Sequence, residues 1–231
     1  MARKLVLGIV IFVIVLTSNV GFSQYSIGGG MSSYHGLNIP IHRLGFNVFG
    51  EFPRSTNNTF TIRGVYLLPY KSTNSTGFLE AKDPMTSPNY VSVDILQKST
   101  FFSIDGGSRV YFFNDYDIGL AMYAGGYIKG IVSSLSNEPR FPAYLNPDDY
   151  NTDLFYDEFG NPFEGKNQYS VLFAFGGTVG VKYQLPKRGA LTFDLGLEFV
   201  NGLFDPNALL QRRLISPLSF AFNLAYRFDW F

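Results

Sequence analysis

The end of the chain alternates without a break. Between residues 218 and 230, Leu218, Phe220, Phe222, Leu224, Tyr226, Phe228 and Trp230 are apolar or aromatic, and Ser219, Ala221, Asn223, Ala225, Arg227 and Asp229 separate them. A helix repeats its faces every 3.6 residues, so a period of two sustained this long requires an extended strand with one greasy and one polar or small side. The same pattern recurs at about 25–34, 44–52, 60–68, 102–112, 118–128, 169–183 and 191–199, which predicts eight strands of 9 to 15 residues. Ordinary strands average about 5–6 residues, whereas a tilted strand that crosses a bilayer needs about 9–11.

The connections alternate too. Segments 53–58, 114–117 and 186–190 are short and carry turn-forming Pro, Asn, Asp or Gly. Those at about 69–90, 132–168 and 201–216 are long and rich in Pro, Asn, Asp and Ser, and the first, at about 35–42, is of moderate length. Tight turns on one side and free loops on the other suit an up-and-down membrane barrel, with both termini on the short-turn, periplasmic side.

The content of the two faces separates this reading from a soluble barrel, which would put charges outside and apolar groups within. Here the apolar face carries bulky aromatics and almost no charge, and 24 Phe with 15 Tyr would overfill an eight-stranded lumen. The opposite face is small, with a sparse set of ions: Glu51, Asp105, Asp194, Glu198 and Asp229 against Arg63, Arg109, Lys129, Lys182 and Arg227. Equal numbers permit pairing, which buried charges require. Counting back from the 186–190 turn sets Lys182 directly across from Asp194 and predicts an ion pair there. One phase change stands out. Val91, Val93 and Ile95 are odd-numbered, while Phe102, Ile104, Val110 and Phe112 are even, so a β-bulge is expected between 96 and 101, with a raised hairpin above it.

Residues 1–23 read as a secretory signal peptide: Arg3 and Lys4, an apolar run over 5–16, then small residues at Gly21 and Ser23. The run is too short to span as a helix. Residues 24–231 then form the barrel domain. A net charge of zero gives no reason for nucleic-acid binding, and the absence of Cys removes disulfides and thiolate chemistry.

In this pattern the chain resembles the small eight-stranded outer-membrane barrels of the OmpA transmembrane domain and OmpX type. The most specific element is the closing strand with Tyr226, Phe228, Trp230 and Phe231, which looks like the aromatic-terminated signal read by the barrel-assembly machinery. Phe231 falls on the polar parity, so Trp230 takes the last outward position. The resemblance implies residence in the cell outer membrane, contact with its lipids, and engagement of that machinery during biogenesis.

Chemistry is sparse. No motif for a cofactor is present, and the reading is non-enzymatic. His35 and His42 flank the first connection, and Ser32 or Ser33 could pair with His35, but no spacing supplies a third, orienting group. The 132–168 loop is acidic, which could attract Ca²⁺, although it lacks an EF-hand ligand pattern. It also holds seven aromatics, Phe141, Tyr144, Tyr150, Phe155, Tyr156, Phe159 and Phe163, which would either cap the barrel or dock a protein partner. The expected role is therefore structural, adhesive or interactive through the loops. The alternatives are an accessory subunit of a secretion or assembly machine and a rim-located lipid-modifying hydrolase.

Overall fold

The structure, a computed structural model, describes residues 25–37, 41–115, 117–156, 162–164, 168–186, 189–201 and 216–229, without the side chains of 73–75, 162–164, 168 and 229. The signal segment, most of the 201–216 loop, Trp230 and Phe231 lie outside these residues.

Eight long antiparallel strands pair in a ring: β1 (Ser26–Gly36), β2 (His42–Pro53), β3 (Asn58–Glu80), β4 (Tyr90–Asp115), β5 (Leu120–Arg140), β8 (Gln168–Gln184), β9 (Ala190–Asn201) and β10 (Leu218–Asp229). Each pairs with its neighbours in sequence among these eight, and pairing of β1 with β10 closes the ring. A closed ring leaves no unpaired edge. Two short strands, β6 (Leu154–Tyr156) and β7 (Pro162–Glu164), arise inside the long fifth connection, β6 pairing with β3 at Phe78↔Tyr156. The tight β2–β3, β4–β5 and β8–β9 turns and both ends of the ring lie on one side, and the longer connections lie on the other.

Parity sorts the side chains as the alternation requires. Val48, Phe112 and Ile128 point outward, each more than 60% exposed, while Glu51 and Asp105 are 1% exposed inside. Their strands are paired on both sides, so only the lumen can enclose those carboxylates. Interior volume is shared between large and small residues. A Cβ added at Gly180 would stand 2.4 Å from the Tyr123 ring, and one at Gly176 2.8 Å from that of Tyr127. These glycines make room for two tyrosines that fill the bore.

The β3–β4–β5 strands outrun the ring, reaching Glu80, Tyr90 and Arg140. In this extension the sides exchange character. Leu79, Val91, Val93 and Ile95 are buried with Tyr150 and Phe155, and Phe141 and Leu145 pack against them, while Ser92, Asp94 and Glu138 face out. The 3₁₀ turn at Pro147–Asp149, capped by the Asn146 side chain accepting from the Asp148 N–H, holds Tyr150 against this cluster.

Two expectations need correction here. No bulge interrupts β4 between 96 and 101. Its pairing with β5 runs unbroken from Asp94↔Arg140 to Tyr111↔Tyr123, so Val91 and Asp105 share one side of the strand. The irregularities lie on β3, between Leu67 and Tyr70 and between Ser72 and Ser75. The apparent change of phase records a change of surroundings, from polar lumen to apolar cap. Second, Lys182 lies opposite Thr192, and Asp194 opposite Gly180. The hairpin closes at Gln184↔Ala190, with Leu185 N–H donating to the Gly189 carbonyl and Gly189 at φ +90°, so its centre falls one residue earlier than assumed. That moves every partner by two and keeps each residue's face.

Candidate functional site: the ionic lumen and the loop-end rim

Four acids and four bases from six strands meet in the lumen. Arg63 bridges Asp105 (Nε–Oδ2 3.2 Å) and Asp194 (Nη1–Oδ2 3.2 Å). Arg109 reaches the same Asp194 oxygen at 3.0 Å, and its Nη1 lies 3.7 Å from Glu51. Arg227 donates to Glu51 at 3.0 Å, and Lys129 pairs with Glu198. Tyrosines complete the shells. Tyr111 donates to Glu51 at 2.6 Å and Tyr127 to Glu198 at 3.0 Å, while Tyr123 donates to Asp194. Thr59 adds a further donor to Glu51 at 2.8 Å. Glu51, Asp194 and Glu198 each have a cation and a hydroxyl within reach, and Asp105 has Arg63 across both oxygens, so each buried acid is paired. Toward the loop end a cavity remains above this layer, with Tyr34, Arg43, Phe101, Ile131 and Asn223 in its lining.

Of the ions expected inside, Lys182 is half-buried with its ammonium 4.9 Å from the centre of the Tyr111 ring, and the Asp229 side chain lies outside the described set. Sequence reading missed Arg43. It sits one residue before the expected start of the second strand, on the inner parity, and its guanidinium stacks 4.0 Å over Phe101 while donating to the Ser99 carbonyl and hydroxyl at 3.1 and 2.8 Å. It also missed the lumen tyrosines, although the odd parity of Tyr123 and Tyr127, opposite to Met122 and Ile128, was the available signal.

The rim holds a second constellation. Ser33 and His35 both project outward from β1, and His35 pairs with His42 across the last rung of the β1–β2 ladder. Ser33 Oγ lies 2.6 Å from His35 Nε2, and His35 Nδ1 lies 2.6 Å from His42 Nδ1. The two imidazoles meet edge to face, with centroids 4.7 Å apart, and Phe222 flanks His35 at 5.3 Å. Ser32, the other candidate, points into the lumen and donates to Asn223 at 2.6 Å. The cross-strand register, which no spacing in the sequence supplied, brings His42 beside His35.

In the 132–168 connection, Tyr150 and Phe155 are buried and Phe141 half-buried in the cap, and Tyr156 stacks edge-on with Tyr90, while Tyr144 is 82% exposed. Phe159 and the Phe163 side chain lie outside the described residues. Among the described residues no three His, Asp or Glu side chains converge as metal ligands. The closing-strand residues Tyr226 and Phe228 stack edge-on at 4.5 Å on the outer wall near the turn end.

No protein-family model matches the chain, and no curated protein matches it. Solved structures do. A major outer membrane protein from Thermus thermophilus superposes with a TM-score of 0.52 at 11% identity, over 91% of this chain and 100% of that one. Neisserial surface protein A gives 0.49 at 10% identity, over 90% and 96%. Ail, the attachment invasion locus protein of Yersinia pestis, gives 0.42 at 8% identity, over 89% and 95%. At these identities the likeness is one of fold.

Proposed function

We propose that this chain is an integral outer-membrane barrel protein, exported under residues 1–23, with both termini periplasmic and the β3–β4–β5 extension displayed at the cell surface in a structural, adhesive or interaction role. The observation that carries this reading is the inversion of ordinary burial around the ring: exposed Phe, Ile, Leu and Val outside, sealed ions within. In water that wall would be an aggregation surface; against acyl chains it is the matching solvent. Outward apolar residues on β4 run from Phe102 to Phe112. Ten steps of about 3.3 Å, tilted by about 40°, span roughly 25 Å, the height of a barrel's apolar band. The upper edge is continuous across strands, since Tyr66, Phe102, Val132 and Val171 occupy successive rungs.

The surface role rests on the extension, a packed unit whose lowest member on β4, Ile95, stands seven rungs above Phe102. Its aromatics are drawn largely into its own cluster, which supports a rigid displayed platform over an aromatic docking loop. Ail and Neisserial surface protein A are named for surface location or attachment, and the same class of role is proposed here. Protease added to intact cells tests the arrangement. Cleavage confined to the 37–41, 81–89, 141–167 or 202–217 connections, with an epitope tag after Phe231 protected, is the expected result. Release of the protein by carbonate, or cleavage at the 53–58 turn, would reject it.

A further inference from the structure

The rim row of Ser33, His35 and His42 has the connectivity of a nucleophile, a base and an orienter. Two sets of tautomers satisfy both contacts, and in one of them His42 donates to His35 and His35 to Ser33. In the set a hydrolase needs, Ser33 Oγ–H donates to an unprotonated His35 Nε2, which leaves the proton of His35 on Nδ1, donating to an unprotonated His42 Nδ1. Each group is thereby held for the next, and the geometry is that which lets an imidazole take a hydroxyl proton and return it.

Its placement selects the substrate. Ser33 and His35 lie on the outward face of β1, beside exposed Met31 and Leu44, with Phe222 packed edge-on to His35. A soluble substrate would have to leave water to reach this wall, whereas a lipid presents its ester bonds there, between acyl chains and headgroup. His35↔His42 is the final β1–β2 rung before the loop, so the water needed for deacylation is at hand.

We propose that Ser33, His35 and His42 form a lipid-facing site that hydrolyses acyl esters of membrane lipids. This goes beyond the surface role and rests on the membrane residence proposed above. Ser33 Oγ attacks the ester carbonyl carbon as His35 Nε2 takes its proton. The carbon–alkoxy bond then breaks, and the departing lipid alcohol receives that proton. Water, deprotonated by the same nitrogen, cleaves the acyl–Ser33 ester, releases a fatty acid and restores the serine. Ser33 and His35 are the catalytic residues; His42 is a positioning residue.

The test uses the mature protein in vesicles of phosphatidylethanolamine and lipid A, with insertion scored first by heat-dependent gel migration, so that a failure of membrane residence is seen separately. A long-chain fluorophosphonate, which forms a phosphorus–oxygen bond with loss of fluoride, should label Ser33 and leave its lumen-facing neighbour Ser32 untouched. Ser33→Ala should abolish labelling and fatty-acid release. His35→Gln should slow both by about 10²–10⁴-fold. His42→Leu should give a smaller loss, and His42→Gln, which restores an acceptor for His35 Nδ1–H, should recover it; a purely structural His42 would show no such rescue. In an inserted protein, absence of label on Ser33, labelling indifferent to His35→Gln, or label without fatty-acid release from either lipid would overturn the proposal.

Discussion

The lower and upper parts of β4 are one continuous strand governed by opposite rules. In the ring, the odd-numbered side carries Asp105 and Arg109 into a polar lumen, and the even side shows Phe102, Ile104 and Val110 to the exterior. Above it, the same odd side carries Val91, Val93 and Ile95 into an apolar cluster, and the even side shows Ser92 and Asp94. The pairing of β4 with β5 does not shift at the boundary. The medium does, and each half is folded for the solvent it meets: hydrocarbon below, where ions must be enclosed, and water above, where the hydrophobic effect operates normally.

The contrast can be broken most severely at Asp194. Its carboxylate accepts from Arg63, Arg109 and Tyr123, so Asp194→Ala leaves two guanidiniums facing one another with Asp105 and Glu51 as the remaining acids. Removing one partner from a buried pair costs about 3–5 kcal/mol. Asp94→Ala, on the exposed side of the same sheet's extension, should fall within about 0.5 kcal/mol of the parent. Urea titration of folding into phosphatidylcholine vesicles measures both. Comparable losses at the two sites would deny the division of the molecule into two regimes.

The outward faces give the next test. Ile128→Lys, near the middle of the apolar wall, should destabilise by about 2–4 kcal/mol, and Ser92→Lys, on the outward side of the extension, by nearly nothing. Folding yield and urea midpoint in the same vesicles read the pair. A harmless lysine at 128 would mean that the wall does not face lipid.

Much of this division was legible before the structure. Period two gave every ring strand, and parity assigned Arg63, Asp105, Arg109, Asp194, Glu198 and Arg227 to the inside, because a pleated strand permits no other sorting. Register was less accessible. Turn composition at 186–190 does not say which residue is central, and Gly189 at positive φ moved the centre by one, so the partner expected for Lys182 was displaced to Thr192. The mistaken bulge has a deeper cause. A sequence records polarity but not the medium, so a strand that leaves one solvent for another looks as if it had slipped by a residue. The Ser33–His35–His42 row was half visible: Ser33 and His35 share a parity in sequence, but only pairing across the first hairpin brings His42 alongside.

The smallest effect sharpens the comparison from the aqueous side. Tyr90 donates to Glu80 Oε1 at 3.1 Å and Tyr156 to Oε2 at 3.3 Å, both on the exposed surface of the extension. The hydrogen bond to Glu80, followed by the charge of that carboxylate, holds the Tyr90 phenol above its ordinary range; burial, and then Glu80, do the same for Tyr156. Because the folded value is raised, what these contacts contribute is present in full below the ordinary tyrosine range and fades as pH climbs through the folded value. Glu80→Gln should bring the Tyr90 titration, followed by NMR of ring-labelled tyrosine, back toward that range. The urea midpoint of the barrel should not move, since exposed contacts of this kind contribute little. Across the boundary, Asp194 also accepts from a tyrosine, but there the medium offers no water to replace the lost partner. Asp194→Ala also removes the Arg63 and Arg109 pairs, so the difference between the Tyr123→Phe and Tyr90→Phe losses is what measures how much the lumen's exclusion of solvent adds to the same kind of tyrosine–carboxylate contact.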